Sequence, residues 1–180
     1  MSTESKNLKK KVLFVCLGNI CRSTMAEIVF RGLLHSRGVL DSFEIDSAGT
    51  SSYHIGDTPD PRTVQACNQN MGRAISEESL KHFRSIPLHR AREFSDQDFS
   101  KFDYIFAMDE SNLSNIKKML KHSTSKETHI ATVKRLGEYH TYKKINVEDP
   151  YYGDTSNFNI CFNHVHDCLV NFLNEIESSN

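Results

Sequence analysis

The sequence lacks an excess of charge of either sign, a long apolar run and a signal-peptide pattern. Its 22 Lys and Arg residues balance 23 Asp and Glu residues, for a formal net charge of -1, which does not indicate a nucleic-acid partner. No apolar run approaches the roughly 20 residues that a membrane span requires, and the first residues, MSTESKNLKKK, are polar. We therefore expect a cytoplasmic protein that binds neither nucleic acid nor membrane.

Zinc-like spacing and Cys-x-x-Cys pairs are also missing among the 5 cysteines. An odd number of unpaired positions argues against a disulfide framework, and no metal is expected. Because cysteines in a reducing compartment are mostly small buried groups, we expect Cys67, Cys161 and Cys168 to be core residues. Only Cys16 and Cys21 lie where chemistry is expected.

Short apolar runs alternate with helical patterns along the chain. Strands are predicted at 12–15, 43–47, 104–108 and 132–136, and helices at 23–38, 61–71, 109–120 and 158–176. Asp109 is placed to cap the first turn of its helix. This alternation favours parallel strands with right-handed crossovers. A chain of 180 residues suits one compact domain, so the predicted fold is single-domain α/β, a twisted four-stranded parallel sheet with helices on both faces. We expect residues 1–10 to be a flexible tail and residues 11–180 to form the domain.

The segment between the first strand and the first helix holds a cysteine and an arginine separated by five residues, in Cys16-Leu17-Gly18-Asn19-Ile20-Cys21-Arg22-Ser23. Backbone N–H groups in such a loop form an anion-binding nest, and the following helix adds its positive N-terminal end. Gly18 can adopt the positive φ that so tight a curl needs, and Asn19 also tolerates the left-handed region, so both residues are placed for curvature. The pattern predicts a phosphate cradle.

Cys16 and Arg22 are the reactive pair expected in this cradle. The planar guanidinium of Arg22 can bind two phosphoryl oxygens at once. The same cation and the backbone amides stabilise a thiolate at Cys16, which then lies in line with the phosphorus as a nucleophile. The alternative is a buried thiol at a strand end and a surface arginine, since this spacing also arises by chance.

Two motifs, Val15-Cys16-Leu17-Gly18-Asn19-Ile20-Cys21-Arg22-Ser23 and Asp149-Pro150-Tyr151-Tyr152-Gly153, resemble those of the low-molecular-weight protein tyrosine phosphatase family. Stretches 46–53, 59–62 and 108–113 are also similar. The resemblance implies the phosphotyrosine protein phosphatase I-like fold and hydrolysis of phosphotyrosine in proteins and of small aryl phosphomonoesters through a phosphocysteine, without a cofactor. It further implies acid phosphatase activity, inhibition by phosphate and vanadate, and a monomer or weak dimer.

The resemblance also implies roles for individual residues. Asp149 would be the general acid for the leaving phenol and then the base for water, although an Asp-Pro pair can also be a plain surface turn. Ser23 would donate to the thiolate or simply cap the helix. Asn19, Ser47 and His89 would brace the loop from behind.

Three tyrosines and one further cysteine complete the predicted site. Tyr53, Tyr151 and Tyr152 would wall the pocket mouth and grip a phenyl ring, or be ordinary exposed loop residues. In the family the paired tyrosines can be phosphorylated. Leu17, Gly18, Asn19, Ile20 and Cys21 would bind the phosphate. Cys21 would also form a protective disulfide with Cys16 after oxidation, or have a packing role only.

The chain departs from the family pattern at two places. Thr24 stands where the family usually has proline, which should loosen the loop slightly. The segment 73–86 is longer than the family's usual connection, and its pattern predicts a short surface helix.

Two other functions are weighed against this one. A thiol-dependent arsenate reductase would need relay cysteines in a mobile segment, and none lies between Cys67 and Cys161. A silent phosphotyrosine-binding module would not need the complete set of Cys16, Arg22 and Asp149.

Overall fold

The computed structural model describes residues 8–124 and 128–179. Its four strands are β1 (Lys10–Cys16), β2 (Phe43–Gly49), β3 (Tyr104–Ala107) and β4 (Thr132–Arg135). They form one sheet in the order β2-β1-β3-β4, and every neighbouring pair is parallel. The predicted four-stranded parallel sheet is confirmed. Strand β1 begins at Lys10, inside the stretch expected to be a tail, and residues 1–7 of that stretch lie outside the described residues.

Six helices connect and follow the strands within the described ranges. They are α1 (Arg22–Ser36), α2 (Pro61–Met71), α3 (Glu77–Ser85), α4 (Asp98–Lys101), α5 (Glu110–His122) and α6 (Thr155–Ser178), with 3-10 turns at Leu40–Ser42 and Leu136–Tyr139. The structure corrects the start of the last helix, which the apolar pattern put at Phe158. The helix begins at Thr155 because Asp154 and Asn157 form a capping box there. None of the described helices is both long and apolar enough to cross a lipid bilayer.

Helices cover both faces of the sheet, as predicted. Val12 and Phe14 of β1 point into one core with α1, α2 and α6. Leu13 and Val15 point into the other core, beside Phe99 and residues of α5. All four β1 residues are fully buried, which explains why this strand reads as a continuous apolar run.

Helix ends follow the local chemistry of the sequence. Helix α1 stops before Gly38, whose φ of 68° is the left-handed conformation that closes a helix C-terminus. Asp60 and Asp109 cap α2 and α5 by accepting hydrogen bonds from first-turn amides. The predicted cap at Asp109 is therefore confirmed.

The long 73–86 segment contains a helix, as predicted. Ser76 caps α3, accepting a hydrogen bond from Ser79 N. Phe83 is 9% exposed and belongs to the core beside α1. A side chain in place of Gly32 in α1 would approach Met71, Ile75 and Phe83. The segment is therefore packed tightly against the domain.

Candidate active site

The cradle predicted from the sequence lies at the carboxyl end of the sheet, between Cys16 at the end of β1 and Arg22 at the start of α1. This edge is where ligands bind in open parallel sheets. Cys16 and Arg22 are each 3% exposed. Of the two residues placed for curvature, Asn19 is the one with a positive φ, at 56°. Gly18 instead provides space, since a Cβ there would lie 2.9 Å from the His54 ring.

Two donors face the sulfur of Cys16. The backbone N of Asn19 lies 3.3 Å from Cys16 Sγ, and Ser23 Oγ lies 3.1 Å from the same sulfur. The Asn19 side-chain amide donates to Ser23 Oγ at 2.9 Å. The hydroxyl thus already accepts one hydrogen bond, which leaves its own proton for the sulfur. The arrangement suits a thiolate at Cys16.

A buried network braces Asn19 from behind. Its Oδ1 accepts a bond from the backbone N of Arg92 at 2.9 Å, which fixes the orientation of the amide. His89 Nε2, 2.8 Å from the same oxygen, must then be a donor. Asn19 Nδ2 donates to Ser47 Oγ at 2.9 Å, and Ser47 donates to Glu27 Oε2 at 2.6 Å. Asn19, Ser47 and His89 are thus brought together.

Glu27 and Arg92 were not found from the sequence. Neither belongs to a motif, and their role depends on tertiary contact. Glu27, Asp46 and His89 place potential ligand atoms within 4.8 Å of one another, but the two carboxylates already pair with Arg31 and Arg92. The cluster is therefore an ion-pair network in which the guanidinium groups of Arg31 and Arg92 balance the charges of the carboxylates.

The Arg22 guanidinium donates hydrogen bonds to oxygens of three other residues. Its NH1 donates to Asp109 Oδ2 at 2.6 Å and to Val147 O at 3.0 Å, and its NH2 donates to Asp149 Oδ2 at 3.3 Å. Burial by itself lowers the pKa of Arg22, but the surrounding negative charges, with ionised Cys16 first, outweigh burial and raise it. The guanidinium stays charged and oriented.

Asp109 was predicted only as a helix cap, and it also orients Arg22. Its Oδ1 accepts from Asn112 N at 2.8 Å while its Oδ2 accepts from Arg22. One carboxylate thus connects the start of α5 with the start of α1. The sequence contained one signal of a role beyond the cap, because the stretch 108–113 resembles the family.

Asp149 lies at the rim of the same site. Its side chain is 37% exposed, and its Oδ1 accepts a bond from Tyr151 N at 3.1 Å. It is close enough to Arg22 for an ion pair and open enough to meet an incoming group. The two predicted motifs therefore meet in space, although they lie at opposite ends of the chain.

A cavity of about 220 Å³ opens above the cysteine. Its lining residues are Cys16, Leu17, Gly18, Ile20, Cys21, Arg22, Tyr53, His54, Asp149, Tyr151 and Tyr152. Every predicted substrate-binding residue is among them except Asn19, whose side chain belongs to the network behind the loop. His54 was missed by sequence reasoning. The rings of Tyr53 and Tyr152 are 79% and 92% exposed, whereas Tyr151 is 37% exposed.

All five cysteines are buried and free. Burial, together with the negative charges of Asp60, Cys16 and Asp149, raises the pKa of Cys21, which keeps this residue a neutral thiol. Burial also raises the pKa of Cys161 and of Cys168 to about 12. Cys67, Cys161 and Cys168 are core residues, as predicted, and none is an exposed relay cysteine.

A buried cysteine that faces the Asn19 amide and the Ser23 hydroxyl lies beside a fixed arginine at the carboxyl end of a parallel sheet. This arrangement is typical of cysteine-based sites for oxyanions. The family model of low molecular weight phosphotyrosine protein phosphatases matches residues 11–180. A Dictyostelium discoideum relative with that name is 87% identical over 180 residues, which is 100% of both chains. The chain belongs to the low molecular weight phosphotyrosine protein phosphatase family, which is a family of enzymes.

Solved structures agree with this assignment. A protein tyrosine phosphatase from Entamoeba histolytica, with Hepes in its active site, superposes with a TM-score of 0.75 at 30% identity, covering 95% of this chain and 99% of that chain. DARP, a Drosophila arginine phosphatase, has a TM-score of 0.79 at 33% identity, covering 94% and 99%. The phosphotyrosine phosphatase fold predicted from the sequence is confirmed.

Proposed function

We propose that this enzyme hydrolyses phosphotyrosine in proteins and small aryl phosphomonoesters through a phosphocysteine at Cys16. The observation that carries the proposal is the convergence of Asn19 N and Ser23 Oγ on one sulfur, with Arg22 beside it in the same cavity. Donors aimed at a sulfur stabilise the thiolate, which is the nucleophilic form. The aromatic rings of Tyr53, Tyr151 and Tyr152 suit a phenyl ring above it.

Arg22 holds the phosphoryl group in this mechanism. Its NH1 is already occupied by Asp109 and Val147 O, so Nε and NH2 form the fork that binds two phosphoryl oxygens. NH2 exchanges the Asp149 carboxylate for a phosphoryl oxygen when substrate enters. Cys16 Sγ then attacks phosphorus opposite the leaving oxygen, forming the S–P bond as the P–O bond to the phenol breaks.

Asp149 supplies the proton that the leaving phenolate takes up. A phenol has a pKa near 10, so its anion is a poor leaving group at neutral pH. In the second half of the reaction the same carboxylate accepts a proton from water, which attacks phosphorus and releases phosphate and the thiolate. Ser23 Oγ, 3.1 Å from the sulfur, donates to the departing thiolate and eases that step.

Cys21 protects Cys16 from irreversible oxidation in this proposal. Peroxide converts the Cys16 thiolate to a sulfenic acid, and attack by the Cys21 sulfur forms a disulfide and releases water. A thiol then reduces the disulfide. Because the pKa of Cys21 is raised, the attack is slow at neutral pH and faster as pH rises. A Cys21→Ser variant that recovers from peroxide as well as the wild type would remove this role.

The first experiment is turnover of p-nitrophenyl phosphate by the purified protein. We expect hydrolysis without added metal, inhibition by phosphate and by vanadate, no loss with EDTA, acid phosphatase behaviour and no reduction of arsenate. Phosphotyrosine peptides should be hydrolysed faster than phosphoarginine peptides, because ring contacts and Asp149 suit a phenol. Absence of turnover together with tight phosphopeptide binding would instead identify a binding module. We further propose a cytoplasmic monomer or weak dimer.

A further inference from the structure

One side chain joins the phosphate loop to the loop of the proposed general acid. Arg62, in the first turn of α2, uses Nε and NH2 to bind both carboxylate oxygens of Asp60, at 3.0 Å and 2.8 Å. Its remaining nitrogen, NH1, donates to Gly153 O at 3.3 Å. All three nitrogens of the guanidinium therefore have protein partners.

The guanidinium face contacts aromatic rings on the same side. Its central carbon lies 4.5 Å from the ring centroid of Phe158, in the first turn of α6, and 5.6 Å from that of Tyr151. These are cation–π distances. Arg62 thus contacts the segment 149–153 at two points, the carbonyl of Gly153 and the ring of Tyr151. It also contacts Phe158 of α6, the helix that follows this segment.

The other end of this bridge is fixed to the phosphate loop. The backbone N of Asp60 donates to Ile20 O at 2.8 Å, and the Asp60 side chain is only 10% exposed. Hydrogen bonding from Arg62 lowers the pKa of Asp60, so the carboxylate that orients the arginine stays ionised. The chain of contacts runs from Ile20 through Asp60 and Arg62 to Gly153.

We infer that Arg62 is a positioning residue that holds Asp149 and Tyr151 over the phosphate loop. The inference rests on the proposed function. Asp149 has two partners among the described residues, Arg22 NH2 and Tyr151 N. When the phosphoryl group takes Arg22, Tyr151 N is the one that remains, and the position of Tyr151 depends on the bridge from Arg62.

Only an arginine provides all of these contacts at once. Its planar fork binds a carboxylate with two nitrogens, leaves a third for a carbonyl, and presents a flat face to a ring. A lysine keeps the charge as a point and cannot bind Asp60 and Gly153 O in this way. Arg62→Lys should therefore behave more like Arg62→Ala than like the wild type.

The test compares leaving groups in Arg62→Ala and Arg62→Lys. Displacing the acid slows phenol release most when the phenol is basic. We therefore expect the single-turnover rate of phenol release to fall about 10-fold to 100-fold for phenyl phosphate and less than about threefold for 2,4-dinitrophenyl phosphate. This rate reports the first step alone, before Asp149 acts as the base. The KM for aryl phosphates should rise, because Tyr151 loses its support. The inhibition constant for inorganic phosphate should not change, because the phosphate loop is intact.

Two further variants separate positioning from general damage. Asp60→Asn keeps the α2 cap but weakens the fork, and it should show the same leaving-group dependence to a smaller degree. Arg73→Ala removes an exposed arginine elsewhere on the surface, and it should leave the rates with both substrates unchanged.

An equal fall in the single-turnover rate of phenol release from both substrates, or no fall for either, in folded Arg62→Lys would overturn the inference. If the wild type shows no turnover, or no dependence on Asp149, the proposed function itself fails, which is a different result.

Discussion

The two loops that form the site differ in how firmly they are held. In the phosphate loop, Cys16, Asn19 and Arg22 are at most 3% exposed. The side chains of Asn19 and Arg22 each make two or more hydrogen bonds to residues outside the loop. In the acid loop, Asp149 and Tyr151 are each 37% exposed and contact the rest of the domain at fewer points. The phosphate loop is thus fixed by buried hydrogen bonds, whereas the acid loop is partly open to solvent.

The difference matches the two tasks in the proposed reaction. Charge stabilisation requires dipoles and cations that are already in place, because reorienting them during reaction costs free energy. Proton delivery to a leaving group requires access, since the substrate ring must enter between Asp149 and Tyr53. The proposed reaction therefore needs both the rigid phosphate loop and the open acid loop.

Among changes in the two loops, removing the nucleophile from the phosphate loop should have the largest effect on turnover. Cys16→Ser replaces a thiolate by a neutral hydroxyl, and we expect kcat for p-nitrophenyl phosphate to fall at least about 10⁴-fold. Phosphate binding should remain, because Arg22 and the loop amides are untouched. Calorimetric titration with inorganic phosphate measures the second point. Loss of phosphate affinity in the folded variant would show that the cysteine holds the loop together rather than reacting.

Removing the acid should give the next largest effect, and one that depends on the substrate. In Asp149→Asn the carboxyl proton is absent, so we expect the single-turnover rate of phenol release from phenyl phosphate to fall about 10²-fold to 10³-fold. With 2,4-dinitrophenyl phosphate, whose leaving group needs no proton, the fall should be less than about tenfold. Rapid-mixing measurement of phenol release in the first turnover isolates this step from the later hydrolysis of the phosphocysteine. Equal losses would mean that Asp149 is not the proton donor.

A change behind the phosphate loop should affect stability and rate together. Asn19→Ala removes four side-chain hydrogen bonds, leaves buried partners unsatisfied, and puts alanine at a positive φ. We expect a loss of roughly 2–4 kcal/mol in the free energy of unfolding and a fall in kcat of about tenfold or more. Urea unfolding and p-nitrophenyl phosphate kinetics measure the two quantities.

The matched control for this change is Asn19→Gly, which removes the same bonds but tolerates the backbone conformation. It should be more stable than the alanine variant by about 1 kcal/mol and equally slow. If the glycine variant were as active as the wild type, the network behind the loop would have no part in orienting Cys16.

The sequence was most informative where local patterns repeat. Continuous apolar runs predicted β1 and β3, and the spacing of Cys16 and Arg22 predicted the cradle at the end of β1, because both signals depend on neighbours in the chain. The N-terminus of α6 was misplaced because the capping box at Asp154 extends the helix beyond its first apolar residue. The apolar pattern indicates which residues of a helix are buried, whereas its first residue is determined by the capping hydrogen bonds.

The parts of the site that were missed depend on contacts between distant segments. Asp109 has one visible local reason, its cap, and its bond to Arg22 spans 87 positions. The sequence left both Gly18 and Asn19 as candidates for the positive φ, and the structure uses Asn19, whose side chain anchors the turn in the network. Glu27 has no signal without the fold, and Arg62 has only the family likeness of stretch 59–62, which gives it no partner. Side-chain partners therefore require tertiary information.

The smallest expected effect tests whether Thr24 makes up for the missing proline at the start of α1. Thr24 Oγ1 donates to Cys21 O at 3.0 Å, and Met25 N donates to the same oxygen at 2.9 Å. Thr24→Pro loses the hydroxyl bond, about 1 kcal/mol, but restricts the unfolded chain by a similar amount. We expect a change in unfolding free energy below about 1 kcal/mol and an unchanged kcat.

Thr24→Val separates the two opposing effects. It removes the hydroxyl while keeping the branched shape, so it should cost about 1 kcal/mol with no gain from chain restriction. If proline were as destabilising as valine in urea unfolding, chain restriction would contribute nothing at this position. If proline also slowed turnover, the hydroxyl bond to Cys21 would help shape the phosphate loop, and the rigid region would extend one turn into α1.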